Sequence, residues 1–213
     1  CPTSTSSSSV YTNNSFEYAM PNMFAQEGYN VNSFHFNSES FYNRKVMHSK
    51  FGYSKYHCLM DYMPADKYVL DSEVPLNDTV YQYMTEGKFF DFFISYSAHL
   101  PYDVIDTRIG GALNKYPELV DENLDRETQI INILAHDTDQ FFKNLIERLK
   151  EDGLYENTVI IGVADHYAYG YEDKEKLKSV MYHLVENLRK IAILIKPFME
   201  ETSNKIFQQL NLK

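Results

Sequence analysis

Three stretches of the chain carry residues whose types and spacing could do chemistry. In "TVIIGVADHYAYG" (158–170) a greasy run ends in Asp165 and His166. A hard carboxylate beside an imidazole can bind a divalent metal; equally, Asp165 can cap a turn and His166 can face water. In "SYSAHLPY" (95–102), His99 follows another apolar run. There an imidazole can donate to a substrate oxygen or move a proton, or be a plain loop histidine. In "FHFNSESFYNR" (34–44), Arg44 suits bidentate contact with a phosphate, or a solvated helix face. His35 alternates with Phe34 and Phe36, a pattern that suits a core histidine as well as a ligand. Tyr42 can line a cleft or pack. His48, His57, His136 and His183 have no supporting neighbours and read as structural. Asp137 and Asp139 read as the solvated face of a long helix.

The elements that must position these residues follow from periodicity. Thr158 to Val163 is β-branched and apolar, the pattern of a strand buried on both faces in a parallel sheet. Before it, residues 126–152 repeat Ile130, Ile133, Leu134, Phe141, Leu145 and Leu149 on one helical stripe, with Gly153 just past the end. A helix feeding a buried strand is an α/β unit, and in such sheets ligands bind beyond the carboxyl ends of strands. Upstream, 18–26 reads as a short helix with Pro21 in its first turn, and 29–37 as a strand. A short helix capped by Ser38 or Ser40 ends at Gly52. Residues 54–76 look irregular. A helix over 77–86 is capped by Asn77 and broken by Gly87. Residues 88–97 form the second apolar strand, and a loop holds Gly110 and Gly111. Residues 172–190 read as an exposed helix, and 190–197 as a further strand ended by Pro197. The sum is a three-layer α/β domain with a mostly parallel sheet.

The chain has 213 residues, enough for one sizeable α/β domain, and 44% of them are hydrophobic. A net charge of −10 with no basic stripe argues against a nucleic-acid partner. Cys1 and Cys58 are too few for a disulfide framework. No signal peptide or membrane-spanning run is visible. Residues 1–15 are rich in Ser and Thr and read as a flexible leader. With no initiator Met, the sequence reads as a fragment of a longer chain.

The motifs "FHFNSESFYNRKVMHSKFGYSKY", "SYSAHLPY" and "GLYENTVIIGVADHYAYG", with the long helix between them, resemble the lipoteichoic acid synthase family in order and spacing. The resemblance covers about residues 15–170 and thins over the last forty. It implies a sulfatase/alkaline-phosphatase-like fold, here incomplete on its N-terminal side. It implies a phosphoglycerol transferase using one Mn²⁺ or Mg²⁺ and a threonine nucleophile, expected upstream of Cys1. The donor would be a phosphatidylglycerol-type lipid and the acceptor a glycolipid or teichoic acid. The protein would work on the extracellular face of a bacterial membrane, anchored through helices outside this chain. By position, Asp165 and His166 resemble metal ligands and His99 the histidine at the transferring group. Arg44, Tyr42, Asn37 and His35 resemble substrate-binding residues. Tyr42 stands where the family usually has Trp, and Asn37 where it has Asp, with Glu39 nearby; both bear on the headgroup. Other implied readings are a phosphoethanolamine transferase, a phosphodiesterase, a sulfatase, or a glycolipid-binding remnant without turnover. Cys1-Pro2 faintly resembles a sulfatase nucleophile motif, but no Arg follows at position 5.

Overall fold

The computed structural model describes residues 11–63, 70–164, 182, 185, 186, 189, 190 and 200–209. The chain divides into two compact units, Cys1–Thr158 and Val159–Lys213.

The first unit is built on a parallel sheet of β1 (Asn30–His35), β2 (Lys55–Cys58) and β3 (Phe89–Phe93). The order is β2-β1-β3, so β3 is an edge strand among the described residues. Phe34 lies opposite both His57 and Phe93, which fixes the register of the three strands. Because all run parallel, their carboxyl ends meet at one edge. Helices cover both faces, giving the expected α/β layers. On one face lie α1 (Met20–Gln26) and α2 (Arg44–Phe51): Phe24 stacks on Phe90 at 4.5 Å, and His48 Nδ1 is hydrogen-bonded to Ser33 Oγ at 2.8 Å. On the other lie α3 (Asp78–Thr85) and the long α5 (Arg126–Glu151). Here Phe34, Leu59, Val80, Met84, Phe141, Leu145 and Leu149 form the main core. A second cluster joins α4 (Thr107–Lys115) to α5 through Ile109, Ala112, Ile130, Ile133 and Leu134.

Local chemistry explains the helix starts. The side chains of Asn77, Asp106 and Asp125 accept from Val80 N, Ile109 N and Thr128 N, capping α3, α4 and α5. Ser38 and Ser40 do not cap α2; a 3₁₀ turn at Phe41–Asn43 precedes it instead. Gly52 ends α2 at φ +104, and a Cβ there would meet Asn22 Oδ1 at 2.3 Å, so only glycine fits.

The structure corrects four expectations in this region. Residues 55–58, expected to be irregular, form the β2 strand. Gly110 and Gly111 lie inside α4 rather than in a loop. Residues 158–164 form no strand, and Val159, Ile161 and Val163 are exposed. Their composition suits a buried strand, but no ladder partner accompanies them among the described residues, and without one an extended run gains neither pairing nor burial. Asp137 is not on the solvated face: it is fully buried, whereas Asp139 is exposed as expected.

In the second unit, α6 spans Glu200–Gln209, and the other described residues from 182 to 190 are also helical. Lys190 is thus helical, and the rest of the strand expected at 190–197 lies outside the described residues. No helix among the described residues is long and apolar enough to cross a membrane.

Candidate active site

The carboxyl ends of β1 and β3 bring four of the expected residues together. His35 is the last residue of β1 and is buried. Its Nδ1 lies 2.9 Å from the Ile94 carbonyl, just past β3, and its Nε2 lies 3.2 Å from Asn37 Nδ2. A carbonyl can only accept, so Nδ1 carries the proton and Nε2 accepts from the amide. Burial, reinforced by the charge of Arg44, lowers the His35 pKa to about 4, so the ring is neutral at physiological pH.

Arg44 opens α2 directly after Tyr42 and Asn43, two non-glycine residues at φ 51 and 52. Such strain persists only where the surroundings over-determine it, and it is common at functional sites. The turn sets the Arg44 guanidinium over the rings of Phe41 and Tyr42, at 5.3 and 5.8 Å from their centroids. Its Nη1 is buried with no hydrogen-bond partner. A desolvated cationic donor without an acceptor is costly, and an anionic oxygen would relieve that cost. Tyr56, on the strand that sequence reasoning missed, donates to the Asn37 carbonyl at 2.7 Å and interacts with Arg44. The alternation in "KYHC" was the signal for that strand. Tyr42 itself is exposed, on the solvent side of the arginine.

His99 sits in the loop after β3, joined to His35 by a run of rings. His35 and Tyr96 meet edge-on at 5.9 Å, and Tyr96 stacks with His99 at 6.3 Å. His99 is exposed, and its Nδ1 lies 2.5 Å from the Leu100 carbonyl, immediately before a cis Leu100–Pro101 bond. The proton again belongs on Nδ1, which leaves Nε2 as the outward, basic nitrogen. Beneath this loop lie Asp71, Ser97, Arg108 and Asp137, none of which sequence reasoning selected. For Asp137 a signal existed: it falls on the apolar stripe of α5, between Ile133 and Phe141. His57, read as structural, is a buried core histidine stacked on Phe34 at 4.7 Å.

Asp165 and His166, the expected metal ligands, lie outside the described residues. Among the described residues no group of three or more His, Cys, Asp or Glu is placed to hold an ion. The described residues therefore do not by themselves make a metal site.

Residues 4–191 match the sulfatase family. Among curated relatives, the chain is 24% identical over 177 residues to a lipoteichoic acid synthase-like protein of Bacillus subtilis, covering 77% of this chain and 26% of that protein. A second, lipoteichoic acid synthase 2 of the same organism, is also 24% identical, over 76% of this chain and 25% of its own length. The chain thus spans about a quarter of these relatives. A shorter similarity, 56% identity over 41 residues, is to the methionine–tRNA ligase of Lactococcus lactis, covering 19% of this chain and 6% of that enzyme. In three dimensions the chain is similar to the lipoteichoic acid synthase LtaP from Listeria monocytogenes, with a TM-score of 0.62 and 21% identity over 81% of this chain and 42% of that one. Fold and sequence agree: the chain belongs to the sulfatase family.

Proposed function

We propose that this domain is part of a metal-dependent phosphoglycerol transferase, moving phosphoglycerol from a phosphatidylglycerol-type lipid to a glycolipid or polyglycerolphosphate acceptor. The observation that carries this reading is the buried, unpartnered Arg44 nitrogen at the carboxyl end of the sheet, beside a neutral His35 and one ring away from His99. In it, Arg44 binds the non-transferred phosphoryl oxygens, and Asn37 and Tyr42 shape the headgroup pocket. The nucleophile is a threonine beyond these residues. Its oxygen forms a bond to phosphorus as the diacylglycerol oxygen leaves and takes a proton. The proton taken by the diacylglycerol oxygen is the one the threonine hydroxyl gives up; the acceptor hydroxyl then forms the new phosphoester bond and displaces the threonine, its proton passing through Nε2 of His99 to the leaving threonine oxygen. Asp165 and His166 are the proposed ligands of one Mn²⁺ or Mg²⁺, which when bound neutralises phosphoryl charge. The setting that goes with this reading is the extracellular face of a bacterial membrane, where the lipid donor lies.

The test is diacylglycerol release from phosphatidylglycerol vesicles by the full gene product, with Mn²⁺ or with a chelator. Release that needs the ion and falls about 10²–10⁴-fold in His99→Ala is the expected result. Release instead from phosphatidylethanolamine or an aryl sulfate would move the assignment to a neighbouring reaction. No release from any of these would leave a binding remnant.

A further inference from the structure

The loop that carries His99 rests on a buried polar scaffold. Asp71 is fully buried, and its carboxylate accepts from the backbone N–H groups of Tyr96 and Ser97, both at 2.8 Å to Oδ2. Its own N–H donates to Ser97 Oγ at 2.7 Å. That hydroxyl donates to Asp137 Oδ2 at 2.6 Å, across to α5. Asp137 is held in turn by Tyr116 at 2.8 Å and by the Ser72 hydroxyl. From the other side Arg108, 2% exposed, donates to three carbonyls of the same loop: Ser97 at 2.8 Å, His99, and Pro101 at 2.9 Å. Asp106, which caps α4 through Oδ1, takes the same guanidinium on Oδ2 at 3.2 Å.

This is more anchoring than a surface loop needs. The backbone donors of 96 and 97 go to one buried carboxylate, and the acceptors of 97, 99 and 101 go to one buried guanidinium. Between them stands the exposed His99, its tautomer fixed by the Leu100 carbonyl. Buried charges are expensive, and here they converge on the loop that presents one imidazole. Fully satisfied polar networks of this kind rigidify what they hold.

We propose that Arg108, Asp71 and Asp137 are positioning residues for His99, holding its loop so that Nδ1 stays on the Leu100 carbonyl and Nε2 is the acceptor nitrogen. The catalytic consequence rests on the reading of His99 given above; the positioning does not. Two substitutions probe the clamp. Arg108→Lys keeps the charge but cannot reach three carbonyls. Asp106→Asn keeps the capping oxygen while removing the guanidinium's partner charge, and it leaves the buried residues intact.

The full gene product, with ¹⁵N-labelled histidine, is followed by long-range ¹⁵N–¹H correlation, with His99 assigned from its loss in His99→Ala. In the unsubstituted protein His99 is expected as a single Nδ1–H tautomer. In both variants, with unchanged far-UV circular dichroism, that signal moves toward a mixture of tautomers. In the diacylglycerol assay, kcat falls, by about 100-fold for Arg108→Lys, with little change in KM. A wild-type His99 signal in folded variants overturns the proposal. Should Arg108→Lys not fold, the Asp106→Asn spectrum decides. Should no phospholipid turn over while the tautomer shifts as expected, the positioning stands and the transferase reading falls.

Discussion

At the scale of single residues, Arg44 is the side chain whose environment most demands a ligand. Its buried Nη1 lacks an acceptor, and the rings of Phe41 and Tyr42 hold its plane. A lysine would keep the charge but lose the fork. Arg44→Lys is therefore expected to raise the KM for phosphatidylglycerol about 10- to 100-fold, the worth of one charge-assisted hydrogen bond, with a smaller change in kcat. Steady-state kinetics on vesicles read this directly; equal losses in kcat and kcat/KM, with KM unchanged, would mean that the contact forms only in the transition state. Arg44, His35 and His99 were singled out in the sequence, His99 because it stands just past an apolar run, and Arg44 and His35 because they share the stretch 34–44 at the end of the first strand. Arg108 was not legible. Its work is to bind backbone carbonyls, and backbone acceptors leave no trace in residue types. Asp137 was half legible: the spacing of α5 puts it on the apolar stripe, but its charge reads as part of the solvated face.

At the scale of elements, the β1 and β3 strands and the α3 and α5 helices follow from periodicity and caps. The β2 strand was hidden because "KYHC" is short and its polar-looking His57 packs inward. The α4 helix was hidden because Gly110 and Gly111 weigh against a helix, yet Gly111 and Ala112 are buried where α4 meets α5, and bulk would part them there. The run at 158–164 misled in the other direction, since composition names a strand but only a neighbouring strand makes one. The β3 strand carries its own prediction. Asp91 shares a face with Phe89 and Phe93, its Oδ1 has no partner, and burial raises its pKa to about 8. A carboxyl raised above its unfolded value costs stability as pH climbs from about 4 to about 8. Asp91→Asn keeps the shape without the charge. It is expected to be more stable than the parent above pH 8, on the order of 2 kcal/mol, with the gap closing toward pH 4. Urea titrations at both ends measure it, and a gap independent of pH would contradict the assignment.

At the scale of the molecule, three histidines share one fate. His35, His48 and His57 are buried, and burial lowers each to about pKa 4. Unfolded, they would titrate near 6.5, so the unfolded chain binds more of their protons between pH 6.5 and 4. Their contribution is fully present above pH 6.5 and is lost as pH falls through that window. His57→Phe preserves the stack on Phe34 and gives up the contact of Nδ1 with the Tyr62 hydroxyl at 2.9 Å, a loss that does not depend on pH in this window. The slope of stability against pH in this window is expected to be shallower in that variant by close to one proton; an unchanged slope would mean that His57 is charged in the folded protein. The two kinds of sequence relationship also belong to this scale. Similarity to lipoteichoic acid synthases runs at 24% over most of the chain, and similarity to methionine–tRNA ligases at 56% over 41 residues. The second covers 6% of a ligase, too little to bring that enzyme's chemistry with it.

Among the described residues β3 is an edge strand, and that position has a colloidal consequence. "FFDFF" is four phenylalanines around one acid, and Phe92 is 44% exposed. Proteins keep such edges apart with charge, and here the only charge on offer is neutral below about pH 8. Mildly alkaline buffer should therefore keep the protein dispersed, and dialysis toward neutrality should bring turbidity through edge-to-edge pairing. Storage conditions would then trade against the cost of ionising that same carboxyl.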